Sequence, residues 1–101
     1  MITVYMPWAL RGIRLADFAA YLCARKYFDL WRPSGGGLVL MTKKDRVEIR
    51  REEFDMFLEM SGQYYMISPE ERKRIWTFIW RDVRNGKVVE LSDDIVILES
   101  K

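Results

Sequence analysis

The chain has 101 residues, which is enough for one small domain, and we expect a single domain spanning residues 1–101. Half of the residues are apolar, 14% are aromatic and 32% are charged, a composition that excludes a disordered chain. The net charge of +2 excludes a polycation, so any contact with nucleic acid must come from a local cluster of basic side chains.

The chemistry is further limited by one cysteine and no histidine. A lone Cys23 excludes an internal disulfide and fits a reducing compartment, and its place among Leu22 and Ala19 predicts a small buried hydrophobe. No uncharged stretch is long enough for a membrane span, and the N-terminus does not have the layout of a signal peptide. We therefore expect an intracellular, cytoplasmic protein without membrane contact.

Without histidine, the usual general base and the commonest zinc ligand are missing. We therefore predict a non-enzymatic protein with no catalytic residue, no metal and no cofactor. One carboxylate alternative stays open, because Asp45 and Glu48 with Lys43 or Lys44 could form half of a metal-dependent nuclease site. Two acidic residues flanking a turn are common on any soluble surface, so the structural interpretation is favoured.

In chain order, Ile2 to Met6 alternates apolar and polar side chains, which predicts a strand with one buried face. A helical pattern then runs from about Ile13 to Leu30 with one apolar arc. The back of this predicted helix is apolar too, because Tyr21 and Phe28 fall there. A larger aromatic set completes that surface: Tyr21, Phe28, Trp31 and Trp8. Either these side chains fill a second core layer, or they form an interface with another chain.

The middle of the chain predicts a turn, a hairpin and a helix. Three consecutive glycines precede a β run and not a helix, so they predict a flexible turn and not a phosphate-binding loop. Leu38–Thr42 and Arg46–Arg50 have strand patterns and predict a hairpin. Arg51–Ser61 predicts a short helix, and Gln63–Ile67 fits either a short strand or an extended linker.

The strongest local signals mark a helix over residues 68–85. Ser68 followed by Glu71 fits a capping box, Pro69 suits the first helical position, and Gly86 suits the end. Two further runs, Lys87–Leu91 and Ile95–Leu98, predict a hairpin after this helix.

One face of that helix is predicted to be basic. Its members, with Trp80 between this face and the core arc, are Lys73, Arg74, Thr77, Trp80, Arg81 and Arg84. The order of helix, glycine and hairpin resembles the recognition helix and wing of winged helix-turn-helix proteins, whereas the strands before Ser68 do not. Few neutral polar side chains are available to read base edges, so we expect contacts mainly to the phosphate backbone, with Trp80 or Tyr64 stacking on unpaired bases.

Together these patterns predict an α+β protein, a single small domain in which about three helices pack on a mostly antiparallel sheet of four to five short strands arranged as hairpins. Two functional hypotheses follow: nucleic-acid binding through the basic face of the 68–85 helix, or a protein-interaction module (homodimer, adaptor or inhibitor) that uses the aromatic back of the 13–31 helix. The single Asn and single Gln also favour a thermostable protein.

Overall fold

The computed structural model describes all 101 residues and confirms the α+β class, with three α-helices and nine short β-strands. No helix has the length and apolar character needed to cross a membrane. In chain order the elements are β1 (Ile2–Pro7), β2 (Ala9–Leu10), β3 (Ile13–Arg14), α1 (Leu15–Ala24), β4 (Leu30–Ser34), β5 (Gly37–Thr42), β6 (Arg46–Arg50), α2 (Arg51–Met60), a 3₁₀ turn (Tyr64–Met66), α3 (Pro69–Ile79), β7 (Asp82–Arg84), β8 (Gly86–Leu91) and β9 (Ile95–Ser100).

The predicted first strand lies in the middle of a four-stranded antiparallel sheet in the order β4-β5-β1-β7. Ile2, Val4 and Met6 are buried on its inner face, as their alternation predicts. In the register, Val4 pairs with Leu40 on one side and Val83 on the other. This face therefore contributes one wall of the hydrophobic core, and the opposite face carries the alternate residues.

A second sheet has the order β6-β9-β8 and is also antiparallel. Its β8 and β9 strands form the hairpin that the sequence predicts after the last helix, and this prediction is confirmed. The register shifts between Val88 and Glu90, so Val89 is the extra residue of a β-bulge. Val47 and Ile49 of β6 are buried, and the alternate residues of that strand are exposed.

The predicted hairpin between Leu38–Thr42 and Arg46–Arg50 is wrong, although both strands exist. β5 pairs with β1 and β4, whereas β6 pairs with β9 in the other sheet. Leu38, Val39 and Leu40 are all buried, because β5 is a central strand that lies between β4 and β1. The turn between the two strands therefore connects two sheets.

The first helix is shorter than predicted, since α1 ends at Ala24 and not near Leu30. Lys26 has a φ of +70°, and its N–H donates to the Cys23 carbonyl, so a left-handed lysine closes the helix. Lysine at this position gives no sequence signal, unlike glycine. Leu30 and Trp31 then belong to β4, the edge strand of the four-stranded sheet.

The last helix begins as predicted and ends early. The Ser68 hydroxyl accepts a hydrogen bond from the Glu71 N–H at 3.2 Å, with Pro69 at the first position. α3 stops at Ile79, because the following residues pair with β1 as strand β7. Gly86 therefore caps no helix. A side chain there would place Cβ 2.7 Å from the Glu99 carbonyl oxygen, so the close approach of β9 requires glycine.

Between α2 and α3 the chain forms a 3₁₀ turn, which is neither the strand nor the extended linker predicted for Gln63–Ile67. The helix predicted for Arg51–Ser61 is confirmed as α2. The Gln63 N–H donates to the Leu58 carbonyl, and the Gln63 side chain donates to the Gly12 carbonyl at 2.8 Å. The first bond holds the 3₁₀ turn to the end of α2, and the second holds it to the turn between β2 and β3.

The core is a single cluster of 23 buried residues that joins the two larger sheets, and Ile13 of the two-stranded β2-β3 sheet, to the three helices. Aromatic rings form its centre: Phe18 lies 5.2 Å from both Phe54 and Phe57, Phe54 lies 6.2 Å from Trp76, and Trp76 packs edge-on against Trp80 at 5.5 Å. This chain of rings passes from α1 through α2 to α3. The arrangement fixes the three helices relative to one another.

Candidate functional site

The residues predicted to form one basic face lie partly on α3 and partly on the four-stranded sheet. Lys73, Arg74 and Thr77 lie exposed on α3. The Lys73 ammonium is 3.0 Å from the Asp93 carboxylate, and Arg74 is 4.0 Å from the Glu71 carboxylate. Such exposed ion pairs are weak, so a phosphate can compete for these cations.

Trp80 is not part of this surface. It is 1% exposed and packs against Trp76 in the core, because α3 ends at this position and turns inward. Its indole N–H has no hydrogen-bond partner in the protein. The prediction that Trp80 contacts nucleic acid is therefore wrong.

Arg84 leaves the predicted helix and lies on β7, where its guanidinium stacks over the Tyr5 ring at 4.2 Å from the ring centroid. Asp82 on the same strand accepts two hydrogen bonds from Arg84, at 3.1 and 3.3 Å. These hydrogen bonds raise the pKa of Arg84 above its ordinary value. The carboxylate thereby holds the guanidinium in the orientation that stacks on the tyrosine.

Arg81 forms a second pair of this kind with an aromatic ring. Its guanidinium lies 5.1 Å from the centroid of the Phe78 ring at the end of α3. Arg81 is exposed and has no carboxylate within ion-pair distance. It is therefore a cation without an ion-pair partner that lies over the ring of the partly buried Phe78.

Both pairs border the outer face of the four-stranded sheet, opposite the core. The register aligns Tyr5 on β1 with Val39 on β5, and Val39 with Arg32 on β4. Val39 is 2% exposed but does not belong to the core cluster, so side chains on the outer face must cover it. Tyr5 therefore has Arg84 on the neighbouring strand on one side, and Arg32 two strands away on the other side, beyond Val39.

A cleft of about 540 Å³ opens at the end of this face, where β1 and the β4-β5 turn approach the end of α3. Tyr5 and Phe78 are its aromatic side chains, and Arg81 is its cation. The full lining is Tyr5, Met6, Pro7, Ser34, Gly36, Gly37, Leu38, Phe78, Arg81 and Asp82. The sequence does not indicate that Tyr5 and Arg32 share one face, because only the pairing of β1 with β5 and of β5 with β4 brings them together. Nor does it indicate that Phe78 lies beside Tyr5.

The aromatic set predicted on the back of the first helix is also divided. Phe28 is 2% exposed and belongs to the core, so its assignment to an interface is wrong. Tyr21 is partly buried against Phe57, with ring centroids 5.8 Å apart. Trp8 and Trp31 form a separate pair 5.9 Å apart, and Trp8 remains exposed. Of the four, only the two tryptophans still offer a shared surface.

A buried carboxylate cluster joins α1 to α2, and nothing in the sequence pattern indicates it. Glu53 is 6% exposed and accepts hydrogen bonds from the Tyr21 hydroxyl at 2.7 Å, from Arg25 at 3.1 Å and from the Tyr27 hydroxyl. Both tyrosines therefore serve as donors to one carboxylate. Their separation of 26 to 32 residues in sequence explains why local periodicity gives no hint of it.

The cluster shifts the pKa of Glu53 and of both tyrosines. Burial raises the pKa of Glu53, but the hydrogen bonds from Tyr27, Tyr21 and Arg25 outweigh burial and lower it overall. Burial and the hydrogen bond to Glu53 raise the pKa of Tyr21 to about 12, and the same causes raise the pKa of Tyr27. All three shifts favour an ionised glutamate that accepts from two neutral phenols.

The remaining polar candidates do not gather into one site. Glu48 accepts a hydrogen bond from Arg46 at 2.6 Å, and Asp45 accepts one from the Ser100 hydroxyl at 3.3 Å. No group of three or more acidic or cysteine side chains is close enough to hold a metal ion. The sequence predicted a buried Cys23, but this side chain is only partly buried. This burial raises the pKa of its thiol.

A scan against protein-family models, a search of curated proteins and a search of solved structures found no match to this chain.

Proposed function

We propose that this protein is a non-enzymatic binding protein that binds single-stranded nucleic acid on the outer face of its four-stranded sheet and the adjoining end of α3. One observation supports this proposal above the others. Tyr5, Phe78 and Arg81 line the same cleft, and Arg84 stacks on Tyr5. Aromatic rings and guanidinium groups in one open depression are the features that bind unpaired bases and the phosphates between them.

An unpaired strand fits this surface better than a duplex does. Stacking on Tyr5 or Phe78 requires a base whose face is free, and duplex bases are stacked on each other. The basic residues that remain on α3 extend the surface beyond the cleft, because Arg74 lies one helical turn before Phe78. Few side chains here can distinguish base edges, so we expect backbone contacts and low sequence specificity.

The local charge predicts moderate affinity. Arg32, Arg81 and Arg84 lie on or beside the outer face, and Asp82 balances one of these three charges. Each phosphate that a cation neutralises contributes about 0.7 to the dependence of log affinity on log salt for single strands. We therefore expect measurable binding at low salt and a steep decrease as salt is added.

Fluorescence anisotropy with labelled homopolymeric DNA and RNA strands over a salt series tests the proposal. Arg81→Ala and Arg84→Ala should each weaken binding and reduce the salt slope by about 0.7. Arg50→Ala is the control, because Arg50, like Arg81, is exposed and without an ion pair but lies on β6 of the other sheet. No binding at low salt, or an equal loss in the Arg50 variant, would reject this surface.

Stacking is tested separately from charge. Replacing Phe78 by leucine keeps an apolar side chain but removes the ring, and we expect a loss of about 1 to 3 kcal/mol of binding free energy. A thermal melt of the variant without ligand checks that the fold is retained. Unchanged affinity in a folded Phe78→Leu protein would leave only a phosphate-binding surface.

The exposed tryptophan pair supports a second candidate function, self-association or binding of another protein. Trp8 is 38% exposed and its ring lies 5.9 Å from that of Trp31, and tryptophan is enriched where interfaces derive their energy. Sedimentation of the wild type against Trp8→Glu tests it, since a dimer at this surface should dissociate in the variant. Tyr21→Glu is unsuitable for this purpose, because it also removes the hydrogen bond to Glu53.

A further inference from the structure

Two tyrosines of the 3₁₀ turn stand at a right angle beside the end of α2. The ring centroids of Tyr64 and Tyr65 are 5.0 Å apart, and the two ring planes meet at 86°. Both residues line a cleft of about 270 Å³ together with Glu59 and Gly62, which we call the tyrosine cleft. Tyr65 is 91% exposed, so its ring surface is available to a ligand. A compact group in this cleft therefore meets two aromatic rings and one carboxylate.

Contacts within the fold hold the tyrosine cleft in shape. The Gly62 N–H donates to the Glu59 carbonyl at 3.0 Å, which closes the turn between the carboxylate and the rings. Arg72 of α3 donates to the Tyr64 carbonyl at 2.7 Å, and its guanidinium lies over the Tyr64 ring, 4.0 Å from the centroid. The Tyr64 side of the cleft is therefore formed before a ligand arrives, which lowers the ordering cost of binding.

The electrostatics of the tyrosine cleft favour a cation. Glu59 is exposed and forms no ion pair, so its carboxylate is available. The face of an aromatic ring is negative and attracts a cation within about 6 Å of the centroid. Arg72 can cover only one face of Tyr64, so the Tyr65 ring and the Glu59 carboxylate remain for a second cation.

We propose that the tyrosine cleft binds a methylated ammonium group, the cation that choline and trimethylated lysine share. A bare ammonium has three N–H donors, which need acceptors when they leave water, and Glu59 is the single carboxylate in the lining. A trimethylammonium group has no N–H donor, so aromatic rings can surround it without leaving a polar group unsatisfied. Its charge distinguishes it from a neutral apolar group, because only a cation is attracted by Glu59 and by the ring faces.

The lining also decides between this ligand and nucleic acid. A phosphate in the tyrosine cleft would meet Glu59, and no cation is among the lining residues. The same repulsion acts on the phosphate of a choline lipid, so it favours the side chain of a trimethylated lysine on another protein. The tyrosine cleft shares no residue with the cleft of Tyr5 and Phe78, so the proposal is independent of nucleic-acid binding.

Titration of the full chain with choline, followed by NMR, tests the proposal. The comparison compound is the neutral isostere of choline in which carbon replaces the charged nitrogen. We expect choline to shift the signals of residues 59–65 saturably, and its methyl protons to move upfield because they lie against ring faces. The neutral isostere should leave these signals unchanged. No saturable shift with choline, or equal binding of the neutral isostere, would overturn the proposal.

Variants separate the contribution of the ring from that of the charge. Tyr65→Leu should weaken choline binding about two- to fivefold, the effect of one exposed cation–π contact, whereas Tyr65→Phe keeps the ring and should bind like the wild type. Glu59→Gln should weaken binding and reduce its salt dependence. Glu52→Gln is the control with the same change in net charge, because Glu52 is exposed on the same helix but lies outside the tyrosine cleft. Equal affinities of the two Tyr65 variants, or equal effects of the two glutamine variants, would contradict the assigned site.

Two further probes identify the source of the cation. A peptide with one trimethyllysine is compared with the same peptide carrying unmodified lysine, and phosphatidylcholine vesicles are tested by co-sedimentation. We expect the protein to prefer the trimethylated peptide and Tyr65→Leu to remove this preference. Vesicle binding that Tyr65→Leu removes would support the site and assign it to a lipid headgroup. Binding of neither the trimethylated peptide nor the vesicles would overturn the proposal.

Discussion

The Tyr21 hydroxyl donates a 2.7 Å hydrogen bond to the Glu53 carboxylate, which links α1 to α2 across 32 residues of sequence. Glu53 is buried, and Arg25 and Tyr27 complete its set of donors. Burying a carboxylate is unfavourable unless donors surround it, and here they do. This cluster fixes the orientation of two helices whose other contacts are apolar and without direction.

Glu53→Gln should lower the free energy of unfolding by about 1 to 3 kcal/mol, because a neutral amide has one acceptor oxygen and turns its NH₂ group toward the other donors. Chemical denaturation at neutral pH measures this change. Glu52→Gln is the control, since Glu52 is the exposed neighbour on the same helix. Equal stability of the Glu53 variant and the wild type would contradict the assigned role of the cluster.

The stabilisation by Glu53 should also depend on pH on the acid side. The pKa of Glu53 is lower in the folded protein than its ordinary value of 4.5, so folding favours the ionised form. Its contribution is therefore present above about pH 4.5 and is lost as pH falls through the folded pKa. Denaturation curves of wild type and Glu53→Gln should converge as the solution is acidified, and a constant difference would contradict this prediction.

An opposite dependence is expected on the alkaline side. The pKa of Tyr21 rises from 10.0 to about 12 in the folded protein, so folding favours the neutral phenol. That contribution is complete below pH 10 and is lost as pH rises toward 12. Tyr21→Phe should be less stable than the wild type below pH 10, and the difference should shrink above it. Tyr65→Phe controls for loss of a hydroxyl at an exposed position.

Gly86→Ala should destabilise the protein by about 1 to 3 kcal/mol, because the added methyl group would lie 2.7 Å from the Glu99 carbonyl oxygen of the neighbouring strand. Gly36→Ala is the matched control: its added Cβ would meet no atom within 4 Å. Alanine there should leave stability unchanged or raise it by about 0.4 to 1 kcal/mol. Thermal or denaturant unfolding of both variants measures the contrast, and equal stabilities would show that β8 and β9 do not approach this closely.

Arg72→Lys should loosen the 3₁₀ turn. The Arg72 guanidinium donates to the Tyr64 and Ile67 carbonyls and stacks on the Tyr64 ring, and an ammonium group cannot reproduce that planar arrangement. We expect faster hydrogen exchange at the backbone amides of residues 63–67 and a loss of about 1 to 3 kcal/mol of stability. Arg74→Lys, an exposed change on the same helix, should have neither effect.

The prediction of thermostability rests on composition alone. One Asn, one Gln and many charged residues are typical of thermophile proteins. We therefore expect thermal unfolding above about 70 °C, whereas mesophile domains unfold at about 45 to 65 °C. Differential scanning calorimetry tests this, and a midpoint within the mesophile range would contradict it.

Local signals were sufficient for part of the fold. The start of α3 followed from Ser68 and Pro69, whose roles depend only on adjacent backbone groups. The β8-β9 hairpin followed from two strands separated by a short polar turn. In both cases the stabilising contacts lie within a few residues of each other, so the sequence alone determines them.

Other helix ends depended on the tertiary structure. Leu15 and Ala16 at the start of α1 donate their N–H groups to the carbonyl of Trp8. A backbone carbonyl therefore caps this helix, and the Arg14 side chain makes no capping hydrogen bond. α1 ends at a left-handed Lys26, and the turn after β7 is a left-handed Asn85. Neither position carries the glycine that would predict it.

For the candidate surfaces, too, the sequence determined some features and the tertiary structure determined others. Composition and helical periodicity determined that the protein is a small α+β domain with basic side chains around residues 73–84. Periodicity predicted Arg84 on a helix, and only the pairing of β7 with β1 shows that it lies on a strand and stacks on Tyr5. Only the packing of α1 on α2 brought the donors to Glu53. These contacts join residues that are distant in sequence. Periodicity and propensity depend on neighbours along the chain, so they do not predict which distant segments come into contact.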